Sequence, residues 1–162
     1  MIRGIEMAII LKPVTRENWE EAMNLQVNES QKNFVPSVSV SLAKVYIKPD
    51  GENVEYLPFA IYDDQKMVGF MMHAYEENTT YSYWINGFII DQKYQGNGYG
   101  KSALKEMINW ITTQFSQCEE IRLTVNKENK YASSIYQKLD FQPTGDVYGD
   151  EEVYMYPVKR MV

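Results

Sequence analysis

The run Gln95-Gly96-Asn97-Gly98-Tyr99-Gly100-Lys101-Ser102 constrains this chain more than any other segment. Its glycines alternate between a branched, apolar stretch ending at Ile90 and a stretch, 102–115, where Ala103, Leu104, Met107, Ile108, Ile111 and Phe115 recur at helical spacing. The pattern predicts a strand, a glycine loop and an amphipathic helix. Glycine admits positive φ and close approach of the backbone, and a helix start carries unpaired N–H groups with partial positive charge. Such a corner suits a phosphate. It also suits a tight turn without a ligand, and the run alone leaves both readings open. Two nucleotide motifs fail on spacing. A Walker loop needs four residues between its glycines before Gly-Lys-Ser/Thr, and the dinucleotide fingerprint needs G-x-G-x-x-G within a parallel βαβ unit.

The flanking segments predict how the loop is held. Residues 8–12 form a first strand, and Thr15 with Glu17 starts a helix running to about Val27, with Trp19, Met23 and Val27 on one face. Residues 28–48 are mixed and contain Pro36, and they admit a second, shorter helix with loops. The aromatic and branched runs 56–62 and 66–75, separated by Asp63, Asp64 and Gln65, predict a β-hairpin. A third strand, 81–90, completes a meander that leads into the glycine loop. After the loop's helix come a strand at 120–125, a helix at 131–139 and strands at 141–148 and 152–158. The order β-α-α-β-β-β-α-β-α-β-β predicts an α+β fold, a mixed sheet with helices on its faces.

At 162 residues the chain suits one well-cored domain, and no linker, repeat or low-complexity tract divides it. Lys and Arg total 16 against 22 Asp and Glu, a net charge of -6. That balance disfavours a nucleic-acid surface, which needs clustered cations, and favours cationic partners. No apolar run approaches a bilayer span and the N-terminus lacks the pattern of a secretory signal, so a cytoplasmic protein without membrane contact is expected. Cys118 sits in the acidic setting SQCEE, which raises a thiol pKa, and reads as an incidental thiol. His73 on its strand reads as structural.

A second block lies downstream, Asn129-Lys130-Tyr131-Ala132-Ser133-Ser134-Ile135-Tyr136-Gln137-Lys138-Leu139-Asp140-Phe141. With Gln95–Gly100 it gives the chain a resemblance to the GNAT superfamily of N-acetyltransferases. That superfamily carries Gln/Arg-x-x-Gly-x-Gly/Ala at a strand-to-helix junction, followed later by N-x-x-A-x-x-x-Y-x-x-x-G-F. The resemblance spans about residues 8 to 158 and implies a single GNAT domain over 1–162. It implies the acyl-CoA N-acyltransferase fold, a twisted, mostly antiparallel central sheet flanked by helices. Asp140 departs from the usual Gly. The stretches WINGFIIDQKYQGNGYGK, LTVNKENKYASSIYQKLDF and NESQKNFV are most similar to bacterial diamine and spermine/spermidine acetyltransferases.

The resemblance implies acetyl-CoA as cosubstrate, no metal, a small amine acceptor and a homodimer. Phe88, Ile89 and Ile90 would pair through their backbone with the pantetheine arm. The pyrophosphate would rest on amides of Gln95, Gly96, Asn97, Gly98, Tyr99, Gly100, Lys101 and Ser102, with Lys101 adding charge. Asn129 and Ser133 would meet the pantetheine, and Tyr136 would aim its hydroxyl at the thioester sulfur as a proton donor. By residue pattern alone, Tyr136 reads as a core aromatic of the Ala132/Ile135/Leu139 stripe.

An amine of pKa about 10 must lose a proton before it attacks. The superfamily's frequent base position falls on Asn86, which cannot serve as a base. Water held by Asn86, or Glu29, are the candidate routes. Glu29, Tyr81 and Trp84 are the candidate acceptor-site residues, although an exposed Glu is ordinarily a solvated charge. A polyamine is the favoured acceptor. Peptide or aminoglycoside acetylation and a non-catalytic CoA-binding module are the alternatives.

Overall fold

The computed structural model describes residues 8–160. Its strands are β1 (Ile9–Pro13), β2 (Glu55–Asp63), β3 (Lys66–Tyr75), β4 (Tyr83–Ile90), β5 (Glu120–Asn126), β6 (Gln142–Tyr148) and β7 (Glu151–Pro157). The helices are α1 (Trp19–Met23) and α2 (Val38–Ile47) between β1 and β2, α3 (Tyr99–Gln114) after β4, and α4 (Lys130–Lys138) after β5. The order is the one the residue pattern predicts, and the differences lie at element ends.

Thr15 accepts from the Glu17 N–H at 3.3 Å, but this closes a turn, and α1 begins only after Asn18. The helix also stops at Met23, short of Val27. Trp19 and Met23 stay 45% and 41% exposed while Ala22 is fully buried, so the expected Trp19/Met23/Val27 face is not the packed one. In residues 28–48 the second helix is α2, with Ser37 as its N-cap accepting from the Val40 N–H. Pro36 immediately precedes that cap.

The seven strands form one sheet in the order β1-β2-β3-β4-β5-β7-β6. Every pairing is antiparallel except β4 with β5. Between the sheet and α3/α4 lies one core, including Met71, Ile85, Leu104, Met107, Leu123 and Phe141. On the other face a second core, including Ala22, Val38, Tyr56, Phe70 and Met72, packs under α1 and α2. Residues 67–74 of β3 are all buried, as expected of a strand covered on both faces. Among the described residues, no helix is long and apolar enough to cross a membrane.

Two irregularities in β4 shape the centre of the sheet. Asn86 pairs with Met72 and Ile89 with Phe70, so Gly87 and Phe88 together oppose Met71 in a β-bulge. Gly87 has φ of +58°, and a Cβ placed there would overlap the Oγ of Ser41, buried on α2. Then β4 pairs with β5 at one position only, Trp84 with Arg122. Beyond that bridge the two parallel strands part.

His73 is fully buried against stacked Tyr75, with ring centroids 4.9 Å apart, and near Tyr83, Trp110 and Phe115. Its Nδ1–H donates to the Trp84 carbonyl at 2.9 Å, while Nε2 has no partner. Burial pushes the imidazole down to about 4 from 6.5, against a smaller opposing effect of the Trp84 bond. The native state therefore holds this ring neutral, whereas the unfolded chain takes up a proton as pH falls below 6.5. His73 should thus cost no stability above pH 6.5 and about 3 kcal/mol as pH falls to 4. Denaturant unfolding across that range is expected to show the loss, and His73→Phe should flatten it; equal slopes in the two proteins would exclude this origin.

Candidate active site

The parting of β4 and β5 opens a slot between the end of β4 and the start of α4. Phe88, Ile89 and Ile90 form one wall, and Asn129, Ala132, Ile135 and Tyr136 form the other. Gln95, Gly96, Gly98, Tyr99 and Gly100 close its end, and Val27, Gln31 and Val35 cover it from the link between α1 and α2.

The loop's geometry follows from its glycines. Gly98 caps α3 with φ of +83° and, as a glycine, brings no side-chain cap to the helix start. Ser102 N–H bonds back to the Gly98 carbonyl at 3.2 Å. The preceding first-turn amides, of Tyr99, Gly100 and Lys101, have no partner within the helix. With no acidic side chain in this turn, the helix end is suited to an anion.

The loop's side chains are otherwise engaged. Gln95 donates to the Ile90 carbonyl and to Gln31 Oε1, both at 2.9 Å, and accepts from Asn28 Nδ2 at 3.1 Å. It thereby clasps the α1–α2 link to the end of β4. Asn97 donates to the Tyr94 carbonyl at 3.0 Å, and the Tyr99 hydroxyl donates to Asp63 Oδ2 at 2.6 Å. The backbone is what this loop has to offer a ligand. Asn97 and Ser102 do not line the slot, nor does Lys101, which is exposed. Lys101 borders a separate groove with Lys105, Lys138, Lys159 and Arg160, a basic surface on an acidic chain.

Asn129 is the N-cap of α4, its Oδ1 accepting from the Ala132 N–H at 3.3 Å. Ser133 turns its hydroxyl to the Lys130 carbonyl at 3.1 Å and lies outside the slot. The helix ends in a Schellman motif, with Phe141 N–H to the Tyr136 carbonyl at 3.0 Å and Asp140 N–H to the Gln137 carbonyl at 3.1 Å. Asp140 takes the left-handed position at φ of +71°, where the superfamily's Gly would sit without strain. This motif fixes the last turn of α4 and with it Tyr136, which is 9% exposed. Burial, and secondarily the carboxylate of Glu151, push its phenol well above the usual 10, so the hydroxyl is a neutral donor.

Tyr136 also lines a second cavity, of about 550 Å³, which shares Val35 and Phe88 with the slot. Its volume falls within the range of small-ligand sites. Trp84, Asn86, Phe34 and Tyr148 line it, together with Asp50, Glu76 and Glu151 and one cation, Lys44. The Tyr56 hydroxyl donates to Asp50, and burial with that contact pushes Tyr56 up to about 12.

Trp84 and Asn86 therefore reach this cavity, and two other candidates do not. Glu29 pairs with Lys32, 2.9 Å away, and its side chain is 86% exposed. Tyr81 precedes β4 and is 58% exposed. The carboxylates that line the cavity come instead from the loop after α2, from just beyond β3 and from the start of β7, positions without a shared sequence spacing. The Gly87 bulge did have a signal, a lone glycine inside a strand pattern.

Cys118 is buried in the core and its thiol is pushed up to about 11, by burial first and by the acidic neighbours only to a lesser degree. No cluster of three or more potential metal ligands occurs among the described residues.

A family model described as the acetyltransferase (GNAT) family matches residues 17–141. The spermine/spermidine N(1)-acetyltransferase of Bacillus subtilis (strain 168) is 31% identical over 146 residues, covering 87% of this chain and 92% of that protein. Spermidine N-acetyltransferase from Vibrio cholerae, solved with CoA and spermine, superposes with a TM-score of 0.66 at 20% identity, covering 91% and 92% of the two chains. The ribosomal-protein-S18-alanine N-acetyltransferase from Escherichia coli gives the same TM-score, 0.66, at 16% identity, covering 95% and 96%. One backbone thus accommodates very different acceptors, so the acceptor must be read from side chains.

Proposed function

This chain belongs to the acetyltransferase (GNAT) family, and from that premise we propose that it acetylates a primary amine of a polyamine such as spermidine or spermine. As a member of the family it is an acetyl-CoA-dependent N-acetyltransferase. The observation that carries the acceptor is the second cavity. Three carboxylates and the aromatic faces of Trp84, Phe34 and Tyr148 border a space that meets the slot at Tyr136. A flexible chain with several ammonium groups satisfies both features, because carboxylates pair with the charges while aromatic faces take the methylenes and the cations. The name of the 31% identical relative supports the same reading.

Acetyl-CoA occupies the slot in this reading, with the pantetheine along the backbone of Phe88, Ile89 and Ile90 and close to Asn129. The pyrophosphate meets the amides at the start of α3. The basic groove that begins at Lys101 offsets, for the nucleotide end, the net charge of -6. Held by the acceptor cavity, the amine attacks the acetyl carbonyl from the side opposite the slot. As the C–S bond breaks, the sulfur takes up the electron pair, and Tyr136 donates its proton to the forming thiolate.

The test is CoA release measured with spermidine, spermine, putrescine, an aminoglycoside and a lysine peptide. Spermidine or spermine is expected to exceed the others by at least about tenfold in kcat/KM, on the order of one good charge contact. Preference for the peptide or the aminoglycoside would refute the polyamine reading. Tight acetyl-CoA binding without turnover of any amine would make this a binding module.

A further inference from the structure

The family position that often carries the base is Asn86 here, which leaves open what accepts the amine's proton. The structure brings a carboxylate to the reacting centre from a different strand. Glu151 is the first residue of β7, half-buried, and held by pairing on both sides, with Asn126 of β5 and Tyr148 of β6. It lines the same cavity as Tyr136 and Asn86. Its charge is also felt by the buried Tyr136 phenol, which no other carboxylate perturbs resolvably. The other ionisable groups facing that cavity are Lys44 of α2, Asp50 of the following loop, Glu76 beyond β3, Tyr136 of α4 and Tyr148 of β6. Asp50 is engaged by Tyr56.

We propose that Glu151 holds the reacting ammonium and takes its proton, directly or through one water, so that the amine attacks as the free base. This rests on the acetyltransferase reading of the same site. The steps balance. Ammonium and carboxylate give amine and carboxylic acid, and Glu151 then releases that proton to solvent. The nitrogen lone pair forms the C–N bond, the C–S pair leaves on sulfur, and Tyr136 protonates the thiolate. The second proton on nitrogen restores Tyr136. The net products are acetylamine, CoA thiol and one proton.

The test compares wild type, Glu151→Gln and Glu151→Asp with spermidine across pH 6 to 10, and with an acceptor amine whose own pKa lies below neutrality. Acetyl-CoA affinity, measured by calorimetry, should stay within about twofold in both variants, which also verifies folding. At pH 7 Glu151→Gln should lose roughly 100-fold in kcat/KM with spermidine, the low end for a general base, and Glu151→Asp should recover part of it. The Gln deficit should shrink by about tenfold per pH unit as spermidine loses its own proton, and should nearly vanish with the weakly basic amine. A deficit equal at every pH and for both amines would reduce Glu151 to a binding or structural charge and overturn the proposal, as would no deficit at all. A wild type inert toward every amine would instead overturn the acetyltransferase reading itself.

Discussion

Tyr136→Phe is expected to lower kcat by roughly 100-fold while leaving acetyl-CoA affinity within about twofold, the low end of the range for a positioned proton donor. The low end applies because CoA thiolate is a fair leaving group whose charge needs only partial neutralisation. The substitution removes one oxygen and keeps the ring among Phe141 and its neighbours, whose centroid lies 6.0 Å away. Stability should therefore hardly change, which separates this result from a folding defect. The raised phenol pKa adds a second signature. Because burial and Glu151 keep Tyr136 protonated well above 10, no basic limb from Tyr136 should appear in the pH profile of kcat below pH 10. Unchanged turnover in Tyr136→Phe, with acetyl-CoA still bound, would assign Tyr136 to packing alone.

Gly87→Ala is expected to destabilise the fold by about 2–4 kcal/mol, adding the cost of a side chain at positive φ to that of overpacking a closed core. The new methyl would overlap Ser41 Oγ and lie 3.6 Å from Phe70 Cε1. Neither neighbour can retreat into solvent, since Ser41 is 1% and Phe70 0% exposed. Relief must come from moving α2 or from flattening the bulge, and flattening the bulge would alter where Phe88, Ile89 and Ile90 lie. The KM for acetyl-CoA should accordingly rise along with the stability loss. A double-mutant cycle with Ser41→Ala, read by denaturant unfolding, separates the two causes. Recovery of the steric part only is expected, because the φ penalty belongs to Gly87. A cycle with no coupling would show that Ser41 is not what the methyl meets.

Much of the fold was legible because it is written in local pattern. The hairpin of β2 and β3, the period of α3 and the glycine corner each announce themselves within a dozen residues, and the element order follows from them. Less legible was α1, where Thr15 imitates a cap that in fact closes a turn one step earlier. The slot side of the site was readable from the two blocks around Gly98 and Tyr136. Within those blocks, the pattern did not separate residues facing the slot from residues serving the loop. Asn97 bonds to the Tyr94 carbonyl and Ser133 to its own helix, and neither lines the slot, whereas Gln95 lines it while tying Asn28 and Gln31 to the end of β4. The second cavity was readable only through Trp84 and Asn86. Its carboxylates, Asp50, Glu76 and Glu151, belong to three separate segments that only the fold brings together, with β7 inserted between β5 and β6. Glu29 was the natural sequence candidate, but it lies on the exposed link between α1 and α2, where it pairs with Lys32 three residues away.

The lone pairing of Trp84 with Arg122 means that β1 to β4 and β5 to β7 share a sheet but almost no backbone ladder. A seam of this kind is a weak point in cooperativity: what crosses it is mainly side-chain packing under α3 and α4. A cosubstrate placed along β4, as proposed, would supply hydrogen bonds where the neighbouring strand offers none, and so would act as a missing rung as well as a reagent. On that proposal acetyl donor and tertiary structure are thermodynamically linked, and acetyl-CoA should raise the stability of the seam as well as feed the reaction.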